Sequence, residues 1–487
     1  MPSLNYDVIV IGGGAIGENV ADRTVQGGLS TVVVESDLVG GECSYWACMP
    51  SKALLRSGAA LAAAQRVPGA AEAVTGTVDV RAALEQRDAI ASHWKDDGQA
   101  KWLDSAGIGL VRGHARITGV REVTVTGDDG TVTVLTATHA VVVSTGSAAL
   151  LPDVPGLKDI DPWTSREATS AQQIPPRLAV IGGGVVAAEM AAAYASLGSM
   201  VTVIARSPLL GGQEPFAGEL VTTALRENGV TVLVGPSATG AHRETDGTLM
   251  LTLDDGSTVT ADKVLVAIGR TPRTLDLGLD TVGLSDGDWL GVDDTLLVQG
   301  DSPALTGEWL YATGDVNHRA LLTHQGKYQA RAAGDAIVTR AAGTPVDDAP
   351  WGAHVATADH AAVPQVTFTD PEVASVGLTA ASAVKAGYRI RILDYDLANL
   401  GGSAVLAVGY VGKARAIVDR DREVLLGVTF VGQDVAELLH SATVAIVGEV
   451  PINRLWHAVP SYPTLSEVWL RLLEAYGRPG FTDEESR

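Results

Sequence analysis

The 487-residue chain is poor in cysteine, in aromatic residues and in positive charge: it has two Cys, 5% Phe, Trp and Tyr, and 35 basic against 57 acidic residues, a net charge of −22. Nucleic-acid binding requires a basic face, so no nucleic-acid partner is predicted. No apolar run approaches the ~20 residues of a membrane-spanning helix. The opening stretch MPSLNYDVIVIGGG enters a predicted strand without a signal peptide. We therefore expect no membrane partner.

The two cysteines both lie in one stretch, GGECSYWACMPSK (Gly40–Lys52). So few thiols leave none for structural disulfides, which predicts a reducing cytoplasm. Residues five apart on a regular helix have Cα atoms roughly 8.7 Å apart, whereas a disulfide needs about 4.4–6.8 Å. Cys43 and Cys48 can therefore bond only if the helix is interrupted between them.

The residues around the pair favour such an interruption, because two glycines precede it and Pro50 follows it. Two incidental buried thiols are the alternative. A zinc site is disfavoured, because no second Cys or His pair lies nearby at ligand spacing. A redox-active pair is the better interpretation.

A 30-residue pattern occurs twice, at an offset of 170 residues, as DVIVIGGGAIGENVADRTVQGGLSTVVVES (Asp7–Ser36) and RLAVIGGGVVAAEMAAAYASLGSMVTVIAR (Arg177–Arg206). Each copy predicts a buried strand, a glycine turn, an Ala-rich helix and a second Val-rich strand, the context that the dinucleotide-binding fingerprint requires. The fingerprint positions are Gly12, Gly14 and Gly17 in the first copy, and Gly182, Gly184 and Ala187 in the second. We therefore predict two dinucleotide sites, each with a pyrophosphate at a helix N-terminus.

The two copies differ where the second strand ends. Glu35, 23 residues after Gly12, is placed to accept hydrogen bonds from a ribose diol, which suits FAD. The same offset in the second copy reaches Ala205, followed by Arg206. A guanidinium without a neighbouring carboxylate can bind a 2′-phosphate, so this site favours NADPH over NADH. The alternative for Arg206 is a solvated surface charge.

Three further predicted strands end in small residues, at AVVVSTGS (Ala140–Ser147), KVLVAIGRTP (Lys263–Pro272) and LYATGDVNHRALLTH (Leu310–His324). Asp315 follows the last of them. It is either a turn residue or, at the carboxyl end of a parallel strand, a group that holds a polyol chain.

These residues together resemble the pyridine nucleotide–disulfide oxidoreductases, the group containing dihydrolipoamide dehydrogenase, glutathione reductase and mercuric reductase. The likeness is carried by motifs along nearly the whole chain: GGECSYWACMPSK, both fingerprints, VSTGS, VAIGRTP, ATGDV, VPQVTFTDPEVASVGLT, LLGVTFVGQDVAEL and PSYPTLSE.

The resemblance implies an α/β fold with two Rossmann-like dinucleotide-binding domains, for FAD and NAD(P), and a C-terminal α+β dimerisation domain. We predict an FAD domain at 1–150 and 276–350, an NAD(P) domain at 151–275, and a dimerisation domain at 351–487.

The resemblance also implies roles for single residues. Cys48 would lie beside the flavin and Cys43 would meet the substrate. Lys52 would lie near the flavin N5 and pair with Glu189, which makes physical sense because a cation there stabilises reduced flavin and a buried lysine needs a carboxylate. Positions matching FAD contacts are Ala115, Thr145, Gly146, Gly314, Asp315, Leu322 and Thr323, and Gly269 and Glu189 match the nicotinamide-nucleotide site.

One position departs from the family. Where thiol-handling members carry a histidine before Pro-Thr, supplied by the partner subunit and held by a glutamate, this chain has Tyr462, with Glu467 in place. Tyrosine, with a pKa of about 10, is a poor base near neutrality, and a general base contributes roughly 10²–10⁴ in rate. His457 has the wrong spacing to replace it. A packed interface aromatic is the alternative interpretation of Tyr462.

The leading hypothesis is a homodimer with shared active sites that uses NADPH, or alternatively NADH, and FAD to reduce a disulfide or related sulfur compound through Cys43 and Cys48. A substrate with a good leaving thiolate needs little acid–base help, which suits Tyr462. The alternatives are reduction of a quinone or a metal ion, dihydrolipoamide oxidation, and a vestigial flavoprotein that senses NADPH. Mercuric reductases resemble the chain at Tyr462 but carry a vicinal cysteine pair near the C-terminus. The stretch GRPGFTDEESR has none.

Overall fold

The computed structural model describes residues 3–477. Its strands are β1 (Ser3–Ile11), β2 (Thr31–Glu35), β3 (Gly109–Arg112), β4 (His114–Gly119), β5 (Glu122–Thr126), β6 (Val132–Val143), β7 (Ser147–Ala149), β8 (Arg177–Ile181), β9 (Met200–Ala205), β10 (Thr231–Val234), β11 (Ala238–Arg243), β12 (Leu249–Leu253), β13 (Thr258–Ala261), β14 (Lys263–Val266), β15 (Arg270–Pro272), β16 (Leu310–Ala312), β17 (Pro364–Thr367), β18 (Glu372–Gly377), β19 (Ile390–Asp396), β20 (Lys413–Asp419) and β21 (Val424–Gly432).

The α-helices are α1 (Ala15–Gln26), α2 (Gly41–Tyr45), α3 (Cys48–Gln65), α4 (Val80–Ile90), α5 (Asp97–Ser105), α6 (Ser165–Ser170), α7 (Val185–Ser196), α8 (Pro215–Glu227), α9 (Thr323–Ala341), α10 (Ala358–Ala361), α11 (Ala380–Lys385), α12 (Gly401–Leu406), α13 (Leu439–Val447), α14 (Ile452–Leu455) and α15 (Val468–Tyr476). Short 3₁₀ helices connect several of them. Within residues 3–477, no helix is both long and apolar enough to span a membrane.

The described residues divide into two compact units. One contains 3–50, 88–150 and 269–359, and the other contains 51–87, 151–268 and 360–477. The three-domain division stays a prediction. The predicted tail stretch without cysteine lies outside the described residues, apart from Gly477.

The first unit is built on a seven-stranded sheet in the order β3-β2-β1-β6-β5-β4, with β16 also paired to β6. Strands β3, β2, β1 and β16 run parallel to their neighbours, whereas β4, β5 and β6 form an antiparallel meander. The paired stretches of β1, β2 and β6 are rich in Val and Ile because both faces of a parallel sheet are covered. The parallel strands end at one edge, which is where α/β sheets bind ligands.

The second unit contains three sheets. A four-stranded parallel sheet has the order β10-β9-β8-β14, and a three-stranded antiparallel sheet has the order β11-β12-β13. A five-stranded antiparallel sheet, β17-β18-β21-β20-β19, carries α13 on one of its faces. The predicted repeat is present, because β1-α1-β2 and β8-α7-β9 are both parallel strand–helix–strand units. The predicted strand ends are also present, at Val143, Val266 and Ala312.

Candidate active site

The cysteine stretch folds as two short helical pieces with a break between them. Helix α2 ends at Tyr45, Trp46 has φ −138°, and α3 begins at Cys48. The interruption that the spacing required is therefore present. Gly41 has φ +62°, and a Cβ added there would lie 2.8 Å from the Cα of Gly14. This segment thus packs backbone to backbone against the first fingerprint turn, which explains the glycine.

Both sulfurs are thiols in this structure, and both cysteines are half-buried. The Cys48 Sγ lies 3.4 Å from the Thr323 Oγ1 at the start of α9. A hydrogen bond with the Cys48 sulfur, together with burial, raises the pKa of the Cys43 thiol well above its usual range, while Thr323 and the charge of Lys327 lower it. The two sulfurs therefore titrate as a coupled pair, in which the first thiolate makes the second harder to form.

The turn between β1 and α1 fits the pyrophosphate of FAD. A Cβ at Gly12, which has φ +102°, would lie 2.4 Å from the Ser144 carbonyl oxygen, and one at Gly17 would lie 1.9 Å from the Gly12 carbonyl oxygen. At Gly14, the N-cap of α1, an added Cβ would contact only Gly41, at 3.8 Å. The turn is therefore crowded by backbone atoms at Gly12 and Gly17, and it is open at Gly14, where a pyrophosphate would approach the helix N-terminus.

Glu35 lies at the end of β2, as predicted, and is buried. One carboxylate oxygen accepts the Gly13 N–H at 2.7 Å and the other accepts the Asp37 N–H at 2.7 Å. Each oxygen keeps a lone pair for a ribose hydroxyl. Burial raises the pKa of Glu35, and the two backbone N–H groups oppose that shift.

At the end of β6, the buried Thr145 hydroxyl has no hydrogen-bond partner among the described residues. Asp315 accepts a hydrogen bond from the Ser147 hydroxyl at 2.5 Å, and its carboxylate lies 3.6 Å from the Arg270 guanidinium. An unpartnered hydroxyl and a polar cluster are what a phosphate–ribityl chain would need here. The residues of the first unit thus fit FAD.

The other positions matched to FAD lie in the same unit. Gly314 donates its N–H to the Gln329 side chain at 2.8 Å. Leu322 is the N-cap of α9, and Gly146 follows Thr145 with φ +74°. Ala115 is buried on β4. Leu322 donates its N–H to the Ala320 carbonyl and accepts the Gly326 N–H, both at 2.9 Å.

The second fingerprint repeats the local geometry with other residues. A Cβ at Gly182, which has φ +135°, would lie 2.1 Å from the Ala267 carbonyl oxygen, whereas one at Gly184 would meet open space. Ala187 is fully buried. Ala205 ends β9, and the exposed Arg206 after it makes no ion pair or hydrogen bond within residues 3–477.

Gly269 of the first unit has φ +142°. Its carbonyl accepts the Leu150 N–H at 3.0 Å. The space that its Cβ would take is open. A side chain would therefore be strained here by the backbone conformation rather than by crowding.

The predicted contact of Lys52 with Glu189 is present. The Lys52 Nζ lies 2.8 Å from Glu189 Oε2, and the other carboxylate oxygen accepts the Phe368 N–H at 3.0 Å. Glu189 is 3% exposed, so both of its oxygens need these partners. The ammonium group also lies 5.0 Å from the centre of the Phe368 ring. A lysine with a defined position thus stands at the start of α3.

Tyr462 is 75% exposed in the single chain. Its ring lies over Gly401, where an added Cβ would be 2.9 Å from the hydroxyl. Glu467 accepts hydrogen bonds from Arg471 and, at 3.3 Å, from the Gly401 N–H. Among the described residues Tyr462 and Glu467 share Gly401 as a neighbour but do not hydrogen-bond to each other. His457 is exposed.

One charged contact beside the redox pair was not expected from the sequence. Arg273 donates to the Glu42 carboxylate at 2.7 Å and to the Ser147 carbonyl at 3.1 Å. Through Ser147, this ion pair connects the residue before Cys43 with Asp315. In the sequence, the only indication of this ion pair is that Glu42, a charged residue, lies between Gly41 and Cys43.

Two family profiles match the chain. "Pyridine nucleotide-disulphide oxidoreductase" matches residues 6–334, and the dimerisation domain of the same family matches residues 363–472. A dihydrolipoyl dehydrogenase of Thermus scotoductus is 33% identical over 96% of this chain and 97% of its own length. A mercuric reductase of Acidithiobacillus ferrooxidans is 33% identical over 94% of this chain and 80% of its own length.

The solved structure of the HOCl-induced flavoprotein disulfide reductase RclA from Escherichia coli in complex with Cu(II) superposes with a TM-score of 0.81 at 20% identity, covering 97% of this chain and 99% of that one. That likeness supports the fold. The matched profiles and relatives confirm the predicted fold class, the oxidoreductase activity and the use of FAD with NAD(P)H. The chain belongs to the pyridine nucleotide-disulphide oxidoreductase family.

Proposed function

We propose that the protein carries two electrons from NADPH through FAD to the Cys43–Cys48 disulfide and on to a small disulfide or related sulfur compound. The observation that carries this proposal is the break between α2 and α3. It brings the two sulfurs into contact, beside Thr323 and the first fingerprint turn.

FAD, when bound, supplies hydride acceptance from NADPH and delivery of two electrons to the Cys43–Cys48 disulfide. Glu35, Thr145 and Asp315 bind and orient it through the acceptors and the hydroxyl described above. Thr323 orients the Cys48 sulfur. Lys52, held by Glu189, keeps an ammonium group at a defined position on the helix that starts with Cys48.

The dithiol then reduces the substrate by two thiol–disulfide exchanges. The Cys43 thiolate attacks one sulfur of the substrate, a Cys43–substrate disulfide forms, and the first thiolate leaves and takes a proton. The Cys48 thiolate next attacks Cys43, the Cys43–Cys48 disulfide forms again, and the second thiolate leaves and takes a proton. The substrate gains the two electrons that the cysteine pair loses.

The family's dimerisation domain supports a homodimer. We propose further that each active site is shared, so that Cys43 of one protomer works with Tyr462 and Glu467 of its partner. The exposure of Tyr462, at 75%, and of Val459, at 85%, supports a surface that a second subunit covers. A monomeric variant with full disulfide activity would contradict the sharing.

The site of action that we propose is the cytoplasm. Its support is the pair of half-buried cysteines, which a reducing compartment would keep available for exchange.

Reduction of a metal ion or a quinone is the second candidate. Tyr462 favours it, because electrons delivered to such an acceptor need no histidine base. The mercuric reductase named among the relatives is consistent with it. Dihydrolipoamide oxidation is weaker, since both Tyr462 and the carboxylate-free end of β9 oppose it.

The experiment is anaerobic NADPH oxidation by the FAD-loaded wild type and by a C43A/C48A double variant, with a panel of small disulfides and, separately, a quinone. Ser57→Ala, a truncation of similar size on α3, is the matched control. Disulfide turnover that requires both cysteines supports the proposal. If only the quinone is reduced, and at the same rate in all three proteins, the electrons leave directly from the flavin.

A further inference from the structure

Helix α1 carries Glu18, a carboxyl group that lies partly below the protein surface. One oxygen of Glu18 is buried and has no hydrogen-bond partner within residues 3–477. Buried polar groups almost always have partners, and an unpaired buried carboxylate is costly. Such a group beside a reactive centre is a candidate functional residue.

The position of Glu18 is set by three converging elements. Gly41 of α2 packs on Gly14, and a Cβ at Gly326 of α9 would lie 2.5 Å from the Ile16 side chain. Glu18 lies one helical turn after Gly14 on α1, and Lys327 lies one turn after Thr323, whose hydroxyl is 3.4 Å from the Cys48 sulfur. The Arg23–Asp335 ion pair, at 2.6 Å, fixes the two helices further along. Cys43 follows Gly41 by two residues, so thiol, cation and carboxyl group come from three packed elements.

Lys327 is half-buried, and its side chain makes no ion pair or hydrogen bond among the described residues. Its charge lowers the pKa of the Cys43 thiol and also that of the Glu18 carboxyl group. One unpartnered cation therefore acts on the substrate-side thiol and on an unpartnered carboxyl group at the same time.

Burial raises the pKa of Glu18 to about 7, with Lys327 opposing the shift and the nearby Glu35 anion adding to it. Glu18 also acts on Tyr45 of α2, whose pKa is raised mainly by burial. The Glu42 carboxylate next to Cys43 is paired with the Arg273 guanidinium at 2.7 Å, which offsets its charge. A pKa of about 7 lets Glu18 change its charge near neutrality.

We propose that Lys327 favours the Cys43 thiolate and that Glu18 sets how strongly it does so. This inference rests on the proposed function and assigns to these residues the thiolate activation that Tyr462 is poorly suited to give. When Glu18 is neutral, the whole charge of Lys327 acts on Cys43. When Glu18 ionises, part of that charge is neutralised, and the thiolate is less favoured. The Cys43 proton goes to solvent.

The test uses the FAD-loaded enzyme reduced anaerobically with one equivalent of NADPH. The rate of Cys43 alkylation by iodoacetamide is followed by mass spectrometry from pH 5 to pH 10, since only the thiolate reacts. We expect K327Q to shift the midpoint to higher pH and E18Q to shift it to lower pH, each by roughly half a unit to one unit. K327R should keep the wild-type midpoint, and so should the control K101Q on the exposed face of α5.

A double-variant cycle separates a direct effect of Glu18 from one through Lys327. In the K327Q background, E18Q should lose most of its shift. Equal midpoints for wild type, K327Q and E18Q would overturn the inference, as would shifts in the same direction for K327Q and E18Q. If NADPH fails to expose any Cys43 thiol in the wild type, the proposed function itself fails. The two failures are therefore distinguishable.

Discussion

The β1-α1-β2 and β8-α7-β9 units share one backbone design and differ in where each buries a carboxyl group. In the β8-α7-β9 copy, Glu189 is 3% exposed and has two partners, Lys52 and the Phe368 N–H. In the β1-α1-β2 copy, one oxygen of Glu18 has no hydrogen-bond partner among the described residues. The partnered carboxylate holds a cation in place, whereas the unpartnered one is free to change its charge. The same fold element thus carries an ion-paired carboxylate in one copy and a carboxyl group with a raised pKa in the other.

The two copies also differ at the ends of their second strands, β2 and β9. Glu35 presents a carboxylate that already orders the turn through Gly13. Ala205 has no side-chain group that could accept a hydrogen bond, and Arg206, which follows it, is exposed. The two copies therefore differ at a single position, and we expect the second to tolerate a 2′-phosphate.

The largest effect is expected from replacing Gly17 of the first fingerprint with alanine, the residue at the matching position of the second fingerprint. In Gly17→Ala the new Cβ would lie 1.9 Å from the Gly12 carbonyl oxygen, a backbone atom that cannot give way. We expect loss of most bound FAD and a drop of about 2–3 kcal/mol in the free energy of unfolding. Ala187→Gly, the reverse change in the second copy, is the control and should leave FAD content unchanged. Flavin absorbance per protein and urea unfolding measure both.

Neutralising the two buried carboxyl groups should have opposite effects on stability. Glu189→Gln removes the charge that Lys52 pairs with, and since Lys52 is 35% exposed we expect a loss of about 1–2 kcal/mol in the free energy of unfolding. Glu18→Gln removes an ionisation penalty, because the folded-state pKa of about 7 exceeds the unfolded value near 4.5.

The pH dependence of the Glu18→Gln effect follows from that order of pKa values. Below about pH 4.5 both states bind the proton, so the gain vanishes. It grows between pH 4.5 and 7 and is complete above pH 7, at up to about 3 kcal/mol. Urea unfolding at pH 4.5 and pH 8 measures it. A gain of equal size at both pH values would contradict the assignment of a raised pKa.

Parts of this comparison are readable in the sequence. The two fingerprints, the break between Cys43 and Cys48 and the Lys52–Glu189 contact follow from local patterns or from the family resemblance. The Glu42–Arg273 ion pair and the approach of Lys327 to Glu18 do not, because they join residues more than 200 positions apart. A pattern of spacings carries no information on which side chains meet across helices. The roles given to single site residues stay predictions.

The smallest effect is expected at Arg206, which is exposed. Arg206→Ala should raise KM for NADPH several-fold and leave KM for NADH unchanged, because only the 2′-phosphate loses a partner. Arg56→Ala, another exposed arginine in the same unit, is the control. Steady-state kinetics with both nucleotides measure the ratio. An equal rise for both nucleotides would assign Arg206 a structural role instead.

The most direct test of the central claim is a thiol count during anaerobic titration of the FAD-loaded, oxidised enzyme with NADPH. We predict that one equivalent of NADPH exposes two new titratable thiols, and that mass spectrometry after alkylation finds the label on Cys43 and Cys48. A flavin that is reduced while the thiol count stays constant would contradict it, because the electrons would then leave without passing through the cysteine pair.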